Sequence, residues 1–469
     1  MMRKLLLLMF VLLLTPAATL AKDAAAPEVR AADYRLPNGM RVILHVDRSA
    51  PLVAVDVWYD VGSGDEVLGR SGFAHFFEHM MFQGSRHTGE DQHFNLLRKA
   101  GASNINGTTN TDRTNYYEVL PANQLETALW LESDRMAWLP DLLTQKSLDN
   151  QREVVRNERR QRYDNVPYGK ERFVLNQLLY AEGHPYRYLT IGRHEDLEAA
   201  KLPDVQAFFD KWYAPSNATL CIAGDFDEAI ARRLVEKWFG AFPKMNRPQH
   251  VLVQPTPIAG PLRQVVEDPF ARLRRIHFAW HSPAHFAMGD AELDILAHTL
   301  GAAGTGRLEK LLVHEKQWAQ SVSVSQSSAR MSSVFHVMVD LRPEADVAEV
   351  EKAVLAEIAR VRNEVISPEE LRRAVVAIES GFVWGLESLI ARADMLQQYA
   401  QALGKADGFA LDLQRYRDAD SARILQNAKA ILTDAGRVEV VSLPAGPAGA
   451  PPPPRTAPLA APSTPTGAK

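Results

Sequence analysis

His75-Phe76-Phe77-Glu78-His79 is the stretch whose residue types and spacing could do chemistry. Two imidazoles four residues apart on a helix share one face, so both can reach a single metal ion, and Glu78 projects to the same side. That pair is half of a hydrolytic zinc site. Zinc held by two imidazoles needs a third protein ligand and an open position for water. Such an ion lowers the pKa of that water toward ~7 and polarises a carbonyl, while a carboxylate outside the ligand set takes the proton. Glu78, adjacent to one ligand, is placed for that role, and no nucleophilic Ser or Cys is required. The plainer alternative is a helix with two histidines on its polar face.

The third ligand has few sources. Cys221 is the only cysteine, so no intrachain disulfide can form and the metal must draw on His and carboxylates. The richest segment runs from Gln151 to Gln161, and its composition favours helix. Glu153 and Glu158 lie five apart there and point in different directions. Only one can face the metal, and spacing alone leaves the choice open.

The elements around these residues follow from periodicity. Arg41–His45 and Val53–Tyr59 alternate as strands and are expected to form an antiparallel pair, with Asn38-Gly39 as a turn. A glycine-rich loop over residues 62–72 then leads into a helix through Phe73, Phe76 and Phe82 that carries the His/Glu set. The first half closes with a helix near Asp204–Trp212, a turn at Pro215-Ser216-Asn217 and a strand Ala218–Ala223. The second half repeats that order, from strand Arg275–Trp280 and the Leu293, Leu296, Leu300 stripe to a helix near Ser421–Leu432 and strand Arg437–Val441. Ser367-Pro368-Glu369-Glu370 marks one helix start. These repeats predict an α+β fold of two homologous domains, residues 33–245 and 262–443, each a largely antiparallel sheet packed with helices. Residues 246–261, with four prolines, are the expected linker, and the Pro/Ala-rich tail 444–469 is expected to be disordered.

Composition narrows the setting. Met1-Met2-Arg3-Lys4, an apolar run Leu5–Leu14 and small residues ending at Ala21 read as a signal peptide over residues 1–21, which places the mature chain in the periplasm or outside the cell. The run is short for a membrane span, and an uncleaved anchor is the alternative. With 53 basic and 57 acidic side chains the net charge is −4, which gives no reason to expect nucleic acid. The 46% hydrophobic content supports substantial cores.

The stretches Gly72–Gly84 and Arg152–Gln161 together resemble the pitrilysin/insulinase family of inverted-motif zinc peptidases, nearest the branch of mitochondrial processing peptidase and its bacterial relatives. The resemblance implies a clam-shell half, one zinc ion per chain and a metalloendopeptidase acting on extended or unfolded peptides. It selects Glu158, 79 residues beyond His79, as the third ligand beside His75 and His79, with Glu78 as general base. It also implies that the strand through Asn106, Gly107 and Thr108 pairs with substrate main chain. Two departures stand out. Gln151, seven before Glu158, replaces an outer-sphere glutamate of some relatives, which softens the expected metal affinity. Val313 and Gln320 occupy positions where self-sufficient relatives carry an Arg and a Tyr that grip the substrate. This implies a heterodimer in which a homologous partner without zinc supplies that grip. A non-catalytic scaffold subunit is the competing reading, and a processing enzyme for one precursor is a third.

Overall fold

Strand-forming stretches from both halves close into two sheets of matching topology. The computed structural model describes residues 27–446 apart from 91; the expected signal segment and residues 447–469 of the expected tail lie outside the described residues. The first sheet contains β1 (Ala32–Arg35), β2 (Arg41–Val46), β3 (Leu52–Tyr59), β4 (Ser103–Thr109), β5 (Thr114–Pro121) and β6 (Ala218–Gly224), in the order β1-β2-β6-β3-β5-β4. The second contains β7 (Leu262–Asp268), β8 (Arg275–Ser282), β9 (Ala319–Ser327), β10 (Ser333–Leu341) and β11 (Val438–Pro444), in the order β7-β11-β8-β10-β9. Apart from β1 the two orders coincide. In each, the closing strand lies parallel to the first strand and antiparallel to the second, and every other pairing is antiparallel. The fold is α+β with two homologous halves. Residues 246–259 between the sheets carry no helix or strand.

One expectation is overturned. The Asn38-Gly39 turn joins β1 to β2, and β2 does not pair with β3, because β6 lies between them. Local alternation could not reveal this, since the strand that separates them is supplied far along the chain. Nor is one face of these strands wet: Arg41–His45 and Val53–Tyr59 are buried throughout.

The reason is an exchange of helices between the halves. Helix Leu389–Leu403, from the second half, lies on the outer face of the first sheet, where Ala393, Leu396 and Ala400 pack on Ile43, Ala54, Cys221 and Ala223. Reciprocally, helix Gly169–Leu179 of the first half packs Val174, Leu175 and Leu179 against Val266, Ala279, Val438 and Val440. Both faces of each sheet are therefore covered, and neither half presents a bare apolar face to water. Among the described residues no single helix is long and apolar enough to cross a membrane.

Charges reinforce the join. Arg330, in the β9–β10 connection, contacts Asp60 and Asp65, which also hold the two ring nitrogens of His250 at 3.0 and 2.7 Å. Burial opposes a charged His250, but hydrogen bonds to Asp60 and Asp65 outweigh it and push its pKa up from 6.5 to about 9. A raised folded-state pKa contributes stability that is fully present below pH 6.5 and is lost as pH rises through about 9. The thermal midpoint of the wild type should therefore fall between pH 6.5 and 9.5 by more than that of His250→Gln; equal slopes in differential scanning calorimetry would contradict this.

Candidate metal centre

Helix Phe73–Met80 presents two faces. Phe73, Phe76, Phe77 and Met80 recur at helical spacing and are buried, while His75, Glu78 and His79 share the other side. Its start is set by Gly72, at φ 88°, where a Cβ would meet Ile191 O and Gly192 Cα at 2.9 Å. The carboxyl group of Glu66 then accepts the Gly72 and Ala74 N–H groups, both at 2.8 Å, which satisfies two donors at the helix start.

The second element is helix Gln145–Arg159, capped by Thr144, whose Leu148, Gln151 and Val155 form a buried stripe. Glu158 continues that stripe at the 3-4-3 spacing and reaches the histidines. Glu153 does not: it pairs at the surface with Arg156 at 2.7 Å. Glu158 Oε2 lies 3.2 Å from His79 Nε2 and 3.6 Å from His75 Nε2. Donors at 2.0–2.1 Å from one tetrahedral zinc stand about 3.4 Å apart. The three side chains thus fit a zinc ion. The helix runs on into a wider π-helical turn, Arg160–Asp164, from which Arg162 holds the other Glu158 oxygen at 2.7 Å.

Electrostatics agree with that fit. Burial pushes the His75 imidazole down to about 4, aided by the adjacent His79, so it stays neutral and able to ligate. Burial works to raise the Glu158 pKa, but the hydrogen bond with His79 and the nearby Arg162 guanidinium leave it lowered, hence ionised. Glu78 is raised, mainly by burial, against a lowering from the Thr109 hydroxyl, which meets Oε2 at 2.6 Å. The outer sphere is thin at one point: His75 Nδ1 is buried without a hydrogen-bond partner among the described residues. Gln151 is buried seven residues before Glu158.

Asn106, Gly107 and Thr108 lie on β4, which forms a hairpin with β5 and stands at the free edge of the first sheet. Asn106 is exposed on that edge, whereas Gly107 is buried against the motif helix, where a Cβ would come within 3.0 Å of Glu78 Cγ. The carbonyl of Thr108 already accepts from Arg113 at 2.9 Å. In the second half, Val313 packs on the core and Gln320 is exposed on β9, so neither offers a cation or a phenol.

One other set of ligand-type side chains lies close together among the described residues, the buried His93, Glu118 and Glu132. There Arg135 already grips Glu132 in a two-point contact, and burial pushes the Glu118 pKa up. Glu132 is thereby committed to Arg135, which sets this cluster apart from the His75, His79 and Glu158 set.

The family profile described as Insulinase (Peptidase family M16) matches residues 41–182, and the Peptidase M16 inactive domain profile matches residues 200–377. The chain belongs to the insulinase family. Among insulinase-family relatives, "Zinc protease PqqE" of Helicobacter pylori is 26% identical over 401 residues, 85% of this chain and 89% of that protein. Mitochondrial-processing peptidase subunit beta of Saccharomyces cerevisiae is 23% identical over 393 residues, 79% of this chain and 82% of that one. The crystal structure of a protease from Helicobacter pylori has the same fold, with a TM-score of 0.82 at 24% identity, covering 89% of this chain and 100% of that one. Both motif helix and Glu158 fall in the first matched region. Thr109, Arg162 and Glu66 escaped sequence reading, although the i,i+4 spacing of Glu158 and Arg162 on a helix was a usable signal.

Proposed function

We propose that this chain is an exported zinc metalloendopeptidase that hydrolyses extended peptides, with His75, His79 and Glu158 as ligands and Glu78 as general base. The carrying observation is the convergence of three ligand atoms, with Glu158 Oε2 3.2 and 3.6 Å from the two imidazoles, beside a second carboxylate, Glu78, that stays outside the set. A bound zinc ion supplies Lewis acidity toward water and the scissile carbonyl. Glu78 takes the proton of the attacking water and passes it to the leaving amine. The free edge of β4 accepts the peptide as an added strand through Asn106, Gly107 and Thr108, which favours extended substrates over folded ones.

The chain is further read as the zinc-bearing subunit of a heterodimer, because Val313 is apolar and Gln320 brings only a neutral amide where self-sufficient relatives carry an Arg and a Tyr. A homologous partner carrying an Arg and a Tyr at those positions would supply the grip. Turnover of an unstructured quenched peptide should be abolished by a zinc chelator, and should rise roughly 10²-fold on adding such a partner, the worth of one donor aimed at a developing oxyanion. Chelator-resistant hydrolysis would refute the metal reading, and equal rates with and without the partner would refute the two-chain reading. Fractionation of the native source tests export: recovery of the chain in the cytoplasm contradicts it.

A further inference from the structure

We infer that Thr109 is a positioning residue for Glu78: its hydroxyl fixes which carboxylate oxygen faces the water. The inference rests on Glu78 being the general base. A hydroxyl has one proton to give. Thr109 Oγ1 lies 2.6 Å from Glu78 Oε2 and 3.3 Å from Thr114 Oγ1, while Thr114 lies 2.9 Å from the Val61 carbonyl, an acceptor for its own proton. The Thr109 proton therefore points at Oε2, and Oε1 is left for the water.

Without such a bond the carboxylate would turn freely, because the terminal torsion of a glutamate is broad and roughly two-fold. Among the described residues no other hydrogen bond to the Glu78 carboxylate is seen, so Thr109 is what holds its plane. The stem of Glu78 is fixed by the same strand, since it lies against Gly107, where a Cβ would meet Cγ at 3.0 Å. Gly107 and Thr109 are two apart on β4 and so share the face toward the motif helix. One strand thus holds both stem and head of the base, and its free edge is the one assigned to the substrate. The placement of the base and of the peptide are tied to a single element, anchored in turn by the Thr109–Thr114 pairing to β5.

The test compares Thr109→Val, which keeps the shape and removes the hydroxyl, with Thr109→Ser, which keeps the hydroxyl, in the assembly in which the wild type turns over. Thr109→Val should lower kcat roughly 10–100-fold, the usual effect of losing an outer-sphere partner, with zinc content unchanged. KM should stay within about twofold, because ground-state binding is untouched. Thr109→Ser should recover kcat to within about threefold, and Thr109→Val added to Glu78→Gln should cost nothing more. An unchanged kcat in Thr109→Val, with Glu78→Gln inactive, overturns this inference alone. A loss that tracks zinc content, or that serine does not restore, makes the contact merely structural and also overturns it. Full activity in Glu78→Gln overturns the base assignment itself, and this inference with it.

Discussion

Glu78→Gln is expected to lower peptide turnover by roughly 10²–10⁴-fold, the range for loss of a positioned general base, while leaving zinc content at that of the wild type. The amide has the shape of the carboxylate and can still accept the Thr109 hydrogen bond through its oxygen, so orientation survives. What disappears is the basic oxygen that takes the proton. Zinc content should hold because Glu78 lies outside the three atoms that converge, and removal of a buried negative charge leaves their geometry alone. The fall should appear in kcat and kcat/KM together, the pattern of an interaction made in the transition state. Single-turnover kinetics with zinc measured on the same sample checks it. A variant that binds zinc and retains more than about a tenth of wild-type kcat would contradict the role.

Glu158→Gln should have the opposite signature. It leaves two imidazoles and a neutral amide, so apparent zinc affinity should drop by more than the roughly 10–100-fold that loss of an outer-sphere partner costs. Activity should fall in parallel at low zinc and return in part as zinc is raised, which Glu78→Gln cannot do. Arg162 also loses its ion pair in this variant, but with an exposed side chain that pair contributes little. Glu153→Gln is the matched control. Its carboxylate pairs with Arg156 at the surface, and it should bind zinc and turn over as the wild type does. Competition with a chromophoric chelator gives both affinities, and a loss in Glu153→Gln equal to that in Glu158→Gln would reverse the assignment.

Much of this centre was legible in the sequence because helical periodicity converts spacing into direction. The helix through Phe73 and Phe76 with His75, Glu78 and His79 on one side was legible from spacing, although it ends at Met80, short of Phe82. The choice between Glu153 and Glu158 was hidden only in part, since Leu148, Gln151 and Val155 already mark the buried stripe that Glu158 extends. Contacts between elements were the illegible part. Thr109 meets Glu78 because β4 happens to cross beneath the motif helix, and no local pattern encodes that crossing. Strand order failed for the same reason: β2 and β3 read correctly as strands, but β6 separates them, and the outer faces that alternation leaves apparently wet are covered by helices exchanged from the opposite half. Glu66 acts as a cap from across a glycine-rich loop, beyond the reach of ordinary capping patterns.

The most direct test of zinc-dependent hydrolysis at His75, His79 and Glu158 is to strip the purified protein of metal and titrate zinc back while following cleavage of an unstructured peptide. Activity should start at background, rise linearly and reach its plateau at one zinc per chain, with no rise over the same range in Glu158→Gln. Hydrolysis that persists in the metal-free protein, or a Glu158→Gln titration that superposes on the wild type, would contradict it.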